Sequence, residues 1–363
     1  MEEPHSSQWI FSKKFDLTIF LTPLAVAALS PLCLLLEPFE QMPFWAFILF
    51  MVSFDVAHVW TTLYRTYMDK EELARRKWLY LAPIPIFLAA SFRIHYYSPV
   101  LFWTLLAYVA IYHFIKQNYG FLTLYKYKMG ETSTFDYYLD KTALWMGALG
   151  PVLWWHASPH RQFDWFNAEE QFIFHLDPAF HGDILMVYFT VLGLYIARQF
   201  YARHMGQPFN PGKQIIMGAH YLTWAVGIGF TQNPIISAAF LNLFHGIPFM
   251  AIVWYYCNRK WSEKGRPASM IRYLSHKKRW LTFYLVVLVL AISEEALWDG
   301  LVWQTYIPDF FNLAVQETAP VPLSMWVAVL SLPQIMHYFL DGFIWRLNKS
   351  NPDLAHYLNL KPA

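Results

Sequence analysis

The chain has 363 residues, 56% of them hydrophobic and 20% aromatic, with only 14% charged, where a soluble domain carries roughly 25% charged residues. That balance excludes an ordinary soluble domain and predicts a multi-pass integral membrane protein, placed in the inner (cytoplasmic) membrane if the source is bacterial. A net charge of +2 gives no reason to expect a nucleic-acid partner.

Crossing roughly 30 Å of hydrocarbon takes about 20 apolar residues in a helix. The segment MEEPHSSQWIFSKKFD is acidic at its tip and lacks the profile of a cleaved signal, so residues 1–15 read as a tail and the first apolar run as a retained helix. Ten runs follow, at about 16–36, 43–64, 78–94, 98–117, 141–157, 183–201, 213–231, 235–256, 280–303 and 322–345. The third is short and broken by Pro83 and Pro85, and the fifth, containing WMGALGPVLWW, is also weak. The expected fold class is therefore all-α, a polytopic transmembrane helix bundle of about ten spans forming a single integral membrane domain over 1–363.

The loops test that count. With both termini cytoplasmic, all 27 Lys and Arg except Arg93 and Arg161 fall on the inner side, as the positive-inside rule requires. The basic cytoplasmic loop is 257–279, the cytoplasmic C-tail is 346–363, and an aromatic outer loop at 158–182 reads as an interfacial cap. The two cysteines, Cys33 and Cys257, lie in or beside apolar runs and suggest neither a disulfide framework nor a thiolate metal motif. No internal repeat or low-complexity segment interrupts the pattern.

Five of the fourteen histidines fall inside predicted spans and away from their last residues: His58, His113, His220, His245 and His337. Measured from the nearest inner basic residue at about 1.5 Å per residue, the first three and His337 lie roughly 5–14 Å deep. His245, 14 residues before Arg259, lies nearer the midplane. An ionisable or unpaired polar group at such depth is costly, and a shared partner offsets that cost for all of them. Acids accompany the histidines: Asp55 precedes His58 by three residues and Asp341 follows His337 by four, spacings that share a helix face. A carboxylate beside an imidazole serves as a fellow ligand or fixes the tautomer of a ligating ring. Gln117, Asn118 and Asn242, close in sequence to His113 and His245, are candidates to orient a substrate or a water.

Two further polar groups compete. Glu294 and Glu295, in AISEEALWDGLVW, resemble the EExxxR motif of the CPBP-family intramembrane proteases, although Asp299 stands where the basic residue belongs. Counted from Arg279, they are expected in the outer half, away from most of the histidines. His160, His175 and His181 in the outer loop lie among acids, a pattern that is usually only solvated. The chain contains no HExxH, P-loop, GxSxG or CxxC, and none of the paired histidine boxes of fatty-acid desaturases. Any ligands come one per helix.

One histidine per helix in an apolar bundle resembles the Brp/Blh family of membrane β-carotene 15,15′-dioxygenases, which hold a non-haem iron with histidines. The likeness rests on LPQIMHYFLDGFIWR, similar to that family's last-helix pattern of Pro, His, Asp and a terminal Arg, and on HFIKQNYGF. The PHGxxD start is absent, and Gln117 stands where a second histidine is expected. The expectation is one metal centre near the cytoplasmic side, with His58, His113, His220 and His337 as ligands. His245, Asp55 and Asp341 are expected to be catalytic or supporting. Ferrous iron is the first choice of cofactor, with haem, copper and zinc as alternatives, and dioxygen is the co-substrate. The expected activity is oxygenation of a lipophilic small molecule or lipid, with an electron donor as partner. A haem-binding electron carrier and a His/Asp-lined transporter are the rival readings.

Overall fold

The computed structural model describes residues 8–35, 42–158, 173–306 and 319–360. All regular structure among them is helical. The long helices are α1 (Lys13–Leu29), α2 (Phe44–Arg65), α3 (Lys77–Tyr97), α4 (Pro99–Lys128), α5 (Thr134–His156), α6 (His181–His204), α7 (Pro211–Trp224), α8 (Pro234–Ser262), α9 (Lys277–Trp303) and α10 (Pro320–Ile344).

Their starts are written locally. Ser98, Asn210 and Asn233 each precede a proline and cap α4, α7 and α8 by accepting from the backbone N–H of Leu101, Lys213 and Ile235. The side-chain oxygen satisfies an orphan donor, and proline at the first helical position gives up an N–H that has no partner there. Wide, π-type turns interrupt three of the helices. They occupy Phe47–Val56 in α2, Ala225–Phe230 after α7, and Asp299–Trp303 at the end of α9. Such turns often accompany functional sites.

Eight of these helices are long and apolar enough to cross a membrane; α5 and α7 are not among them. Both nevertheless pack within the array, α5 against α4, α6 and α7. The C-terminal end of α4, the start of α5, the end of α6 and the start of α7 are tied together by charge. Lys126 pairs with Asp140, Lys213 Nζ lies 2.9 Å from Glu131, and Arg198 donates to both oxygens of Asp136 at 2.7 and 2.8 Å. At its other end α5 reaches α6, where the Ser158 hydroxyl meets His181 at 3.3 Å. Of the outer loop expected at 158–182, residues 159–172, with His160, lie outside the described residues.

The basic end carries a second polar layer. Arg65, 1% exposed, pairs with Glu72, 0% exposed, at 3.2 Å, and its guanidinium lies 4.2 Å from the Tyr256 ring. Lys260 donates to Asp69 at 2.6 Å. On α1, Asp16 accepts from the Ile10, Phe11 and Ser12 amides and from the Tyr125 hydroxyl at 2.7 Å, which pins the first helix to α4.

The helices that matter below form a ring. α8 packs on α2, α2 on the second half of α10, that half on α4, and α4 on α8. α10 is interrupted between Leu330 and Leu332, just before Pro333. Its first half lies on α3, and only the second half joins the ring.

Burial pushes the Glu72 carboxyl up, but Arg65, the Tyr80 hydroxyl and Arg76 outweigh it and hold the group at about 2, against an ordinary value of 4.5. Because the folded pKa is the lower one, this contribution to stability is complete above about pH 4.5 and is lost as the pH falls toward 2. Glu72→Gln leaves Arg65 buried without its partner, which costs on the order of 3–5 kcal/mol. In detergent, the gap in thermal midpoint between the parent and Glu72→Gln should therefore be wide near pH 6 and narrow as the pH is lowered toward 3. A gap that does not change with pH counts against this role for Glu72.

Candidate metal centre

Four of the five buried histidines meet. His58 on α2, His113 on α4, His245 on α8 and His337 on α10 each present a ring nitrogen, and these four atoms lie within 4.8 Å of one another. None of the four side chains is more than 4% exposed. His58 Nε2 and His113 Nε2 each lie 3.1 Å from His337 Nε2, and the three rings meet edge to face. A ring nitrogen has one in-plane site, holding either a proton or a lone pair, and here two neighbours compete for it on His337.

The remaining nitrogens sharpen the point. Neither ring nitrogen of His245 has a hydrogen-bond partner in the protein. A buried polar atom left unpaired costs about 1–3 kcal/mol, and such groups are rare without an ion or water. A metal ion resolves both problems. Two imidazole nitrogens bound to one ion at about 2.0–2.1 Å each stand about 3 Å apart when they meet near a right angle, which is the spacing found. The far nitrogen of His337 meets the Thr62 hydroxyl at 2.7 Å. A proton on that Nδ1 leaves Nε2 bare toward the other rings.

Local sequence explains how the rings come together. Gly246 follows His245, and a Cβ built there would stand 2.2 Å from the Phe54 carbonyl oxygen, in the π-type turn of α2. Only glycine lets α8 approach α2 so closely, and that approach brings His245 edge-on to His58 with ring centroids 4.5 Å apart. The His245 ring stacks on Phe114 at 3.7 Å, and its carbonyl accepts from Gln117 Nε2 at 2.8 Å. Phe249 meets both His58 and His337 edge to face and closes one side of the group.

The other expected residues divide. Asp55 Oδ1 stands 3.6 Å from His58 Nδ1, and Asp341 Oδ2 stands 4.0 Å from His113 Nε2 while its other oxygen accepts from Trp345. Both acids border the group without a direct hydrogen bond to it. His220, expected as a ligand, is not part of it. It shares their depth, but α7 lies outside the ring, and its two nitrogens are engaged by the Leu144 carbonyl at 2.8 Å and the Asn118 amide at 3.1 Å. Asn118 thus serves His220, and Asn242 donates to Met51 Sδ, so neither faces the site. His245, expected nearer the midplane, comes level with the others. α8 continues to Ser262 with Lys260 buried, so its first basic residue does not mark the edge of the apolar layer.

The competing polar groups resolve differently. Glu294 accepts from Trp60 at 2.6 Å, only two residues from His58, so the glutamates lie closer to the site than their distance from Arg279 suggests. Asp299 accepts from the Thr305 and Tyr306 amides and terminates α9. Thr62 and Gly246 were not anticipated. Thr62 lies one helical turn after His58 and is legible from that spacing; Gly246 is not, because its contact is made with another helix. Beside the histidines a cavity of about 930 Å³ opens between α3, α4 and α10, with His113 and Asp341 in its wall.

No protein-family model, no curated protein and no solved structure matches this chain.

Gly246→Ala should separate α8 from α2 at the site. It should cost at least 1–3 kcal/mol through overpacking against backbone and should weaken metal binding together with stability. Gly218→Ala, on α7 with nothing within 4 Å of the added carbon, should be neutral or stabilising by up to about 1 kcal/mol. Equal effects of the two substitutions on the thermal midpoint would contradict the close-approach role of Gly246.

Proposed function

We propose that this protein is a ten-span integral membrane oxidoreductase that binds one metal ion through His58, His113, His245 and His337 and oxygenates a lipophilic substrate. The observation that carries the reading is the convergence of four buried imidazole nitrogens, with His245 otherwise unpaired, inside an apolar helix bundle. Neutral imidazole suits iron, copper or zinc. The carboxylates of Asp55 and Asp341 at the border of the group and the lack of a thiolate there favour ferrous iron. Such an ion, held by histidines with positions left open, supplies dioxygen activation, and an electron donor would act from the basic, cytoplasmic side. The resemblance of residues 331–346 to the Brp/Blh dioxygenases points the same way, without fixing the substrate.

In this reading, α5 and α7 cross the bilayer with the other eight. Their charged ends meet the ends of α4 and α6 in one layer, as up-and-down passes require. They tolerate a less apolar composition because neighbouring helices cover part of their surface. The protein's own part in the chemistry is to hold the imidazoles neutral and fixed. Thr62 orients His337, Phe114 and Phe249 brace the rings, and the surrounding aromatic residues keep bulk water away. A haem fits this group less well, because a porphyrin has to slide between its axial nitrogens, and Nε2 atoms 3.1 Å apart leave no slot.

The purified protein should contain about one iron per chain by elemental analysis and show no Soret band. His337→Ala should lose stoichiometric metal. Asp341→Asn should retain metal with about 10–100-fold weaker affinity, the usual scale for a group that supports a ligand. His220→Asn should keep full metal content per folded chain. Metal bound as tightly by His337→Ala as by the parent would overturn the site, and a Soret band would transfer the histidines to a haem.

A further inference from the structure

The cavity beside the histidines has a chemistry of its own. It runs along α4 from Phe102 to Leu124, a length of about 33 Å at the helical rise, with His113 midway. On the Phe102 side its walls are mostly hydrocarbon and aromatic, including Ile94, Leu105 and Leu106. On the basic side it is lined by Lys116 from α4 and Arg346 just after α10. Among the described residues no carboxylate lies within ion-pair distance of either cation. Lys116 rests near the Tyr119 ring, and Arg346 lies 5.0 Å from the centre of the Phe343 ring. Arg346 and Lys141 on α5 act on Lys116 as like charges, and Tyr137 acts in the opposite sense. The one acid in the wall, Asp341, sits more than a helical turn before Arg346 and faces His113. Both cations are exposed and stand on the basic half of the cleft, whereas the buried cations of the basic end, Arg65, Lys126, Lys213 and Lys260, are all paired.

We propose that this cavity binds a single-chain amphiphile with an anionic head, a carboxylate or a phosphate monoester, held by Lys116 and Arg346 with its chain laid along α4 past His113. Charge complementarity selects the head, and the length of apolar wall selects the chain. A volume of about 930 Å³ is at the upper end of ordinary ligand pockets. Lys116 lies one helical turn, about 4.5 Å of rise, beyond His113. A head gripped there brings the first several carbons of the chain, rather than its far end, opposite the histidines. About 16 Å of α4 between His113 and Phe102 remains for the rest of the chain. Binding of the amphiphile stands independently of the metal; the position at which it would be oxidised rests on the oxygenase reading.

The test uses the full-length protein in a neutral detergent, with quenching of tryptophan fluorescence by chain-brominated ligands, since Trp345 lines the cavity. The probes are a brominated C16 carboxylic acid, its methyl ester, and the corresponding alkyl phosphate. The acid, the phosphate or both should bind at least about tenfold more tightly than the ester, and the preferred head distinguishes a fatty-acid from a phosphate-headed ligand. Lys116→Gln combined with Arg346→Gln should remove that preference and leave ester binding unchanged. Equal binding of the acid, the phosphate and the ester by the parent, or an unchanged preference in the double variant, overturns the proposal. Metal content measured on the same preparations keeps the two readings apart. Anion preference without bound metal refutes the oxygenase reading alone, and bound metal without anion preference refutes this one.

Discussion

Four imidazoles placed away from water and within 4.8 Å of one another set the terms for the rest of this bundle. Each ring carries two polar nitrogens into an interior that offers few partners, and an unpaired polar group there is costly. Two nitrogens stand 3.1 Å from a third, and one ring has no hydrogen-bond partner in the protein. An ion shared by all four rings, as proposed above, would satisfy them. Several features follow from that need: the glycine that lets α8 meet the backbone of α2, the π-type turn that supplies the facing carbonyl, and the break in α10 before the half that carries His337.

Charge is treated differently at the basic end. There the buried cations are matched in place: Arg65 by Glu72, Lys260 by Asp69, and Lys126 and Lys213 by Asp140 and Glu131. Breaking such pairs is expensive because the remaining charge is stranded, so this layer holds the helix ends in register and carries that order inward to the histidines. Arg65 shows the link directly, since it sits on the same helix as His58 and beneath Trp345, a neighbour of Asp341. Lys116 and Arg346 are exposed and stand outside this layer, and both line the cleft that reaches the histidines.

Site and cleft together make a consistent device. The cleft is apolar along most of its length, as a site fed from a bilayer requires, and it meets the four-histidine group at a single ligand, His113. His245, braced by Phe114 and Gln117, lies behind, remote from that opening. One side of the group is therefore open to the cleft while the other side stays packed, an arrangement that would hold the rings fixed in the proposed metal site.

The sequence by itself determined the class of fold and singled out three of the four histidines that converge. Apolar runs of bilayer length dictate helices, because no other open structure satisfies its own backbone in hydrocarbon. His58, His113 and His337 were legible as a group because depth along a helix is a linear quantity, countable from the nearest charge. Thr62 was within reach of the same counting. Lateral position was not: His220 lies at the right depth on a helix outside the ring, where the Leu144 carbonyl and Asn118 satisfy it locally. His245 looked too deep because its depth was counted from Arg259, beside which Lys260 is drawn inward by Asp69. Which helices neighbour one another, and how closely, is decided by contacts such as that of Gly246 with Phe54, made between residues nearly 200 positions apart. Spacing along the chain fixes height and face, and only the packing of one helix on another fixes who stands opposite.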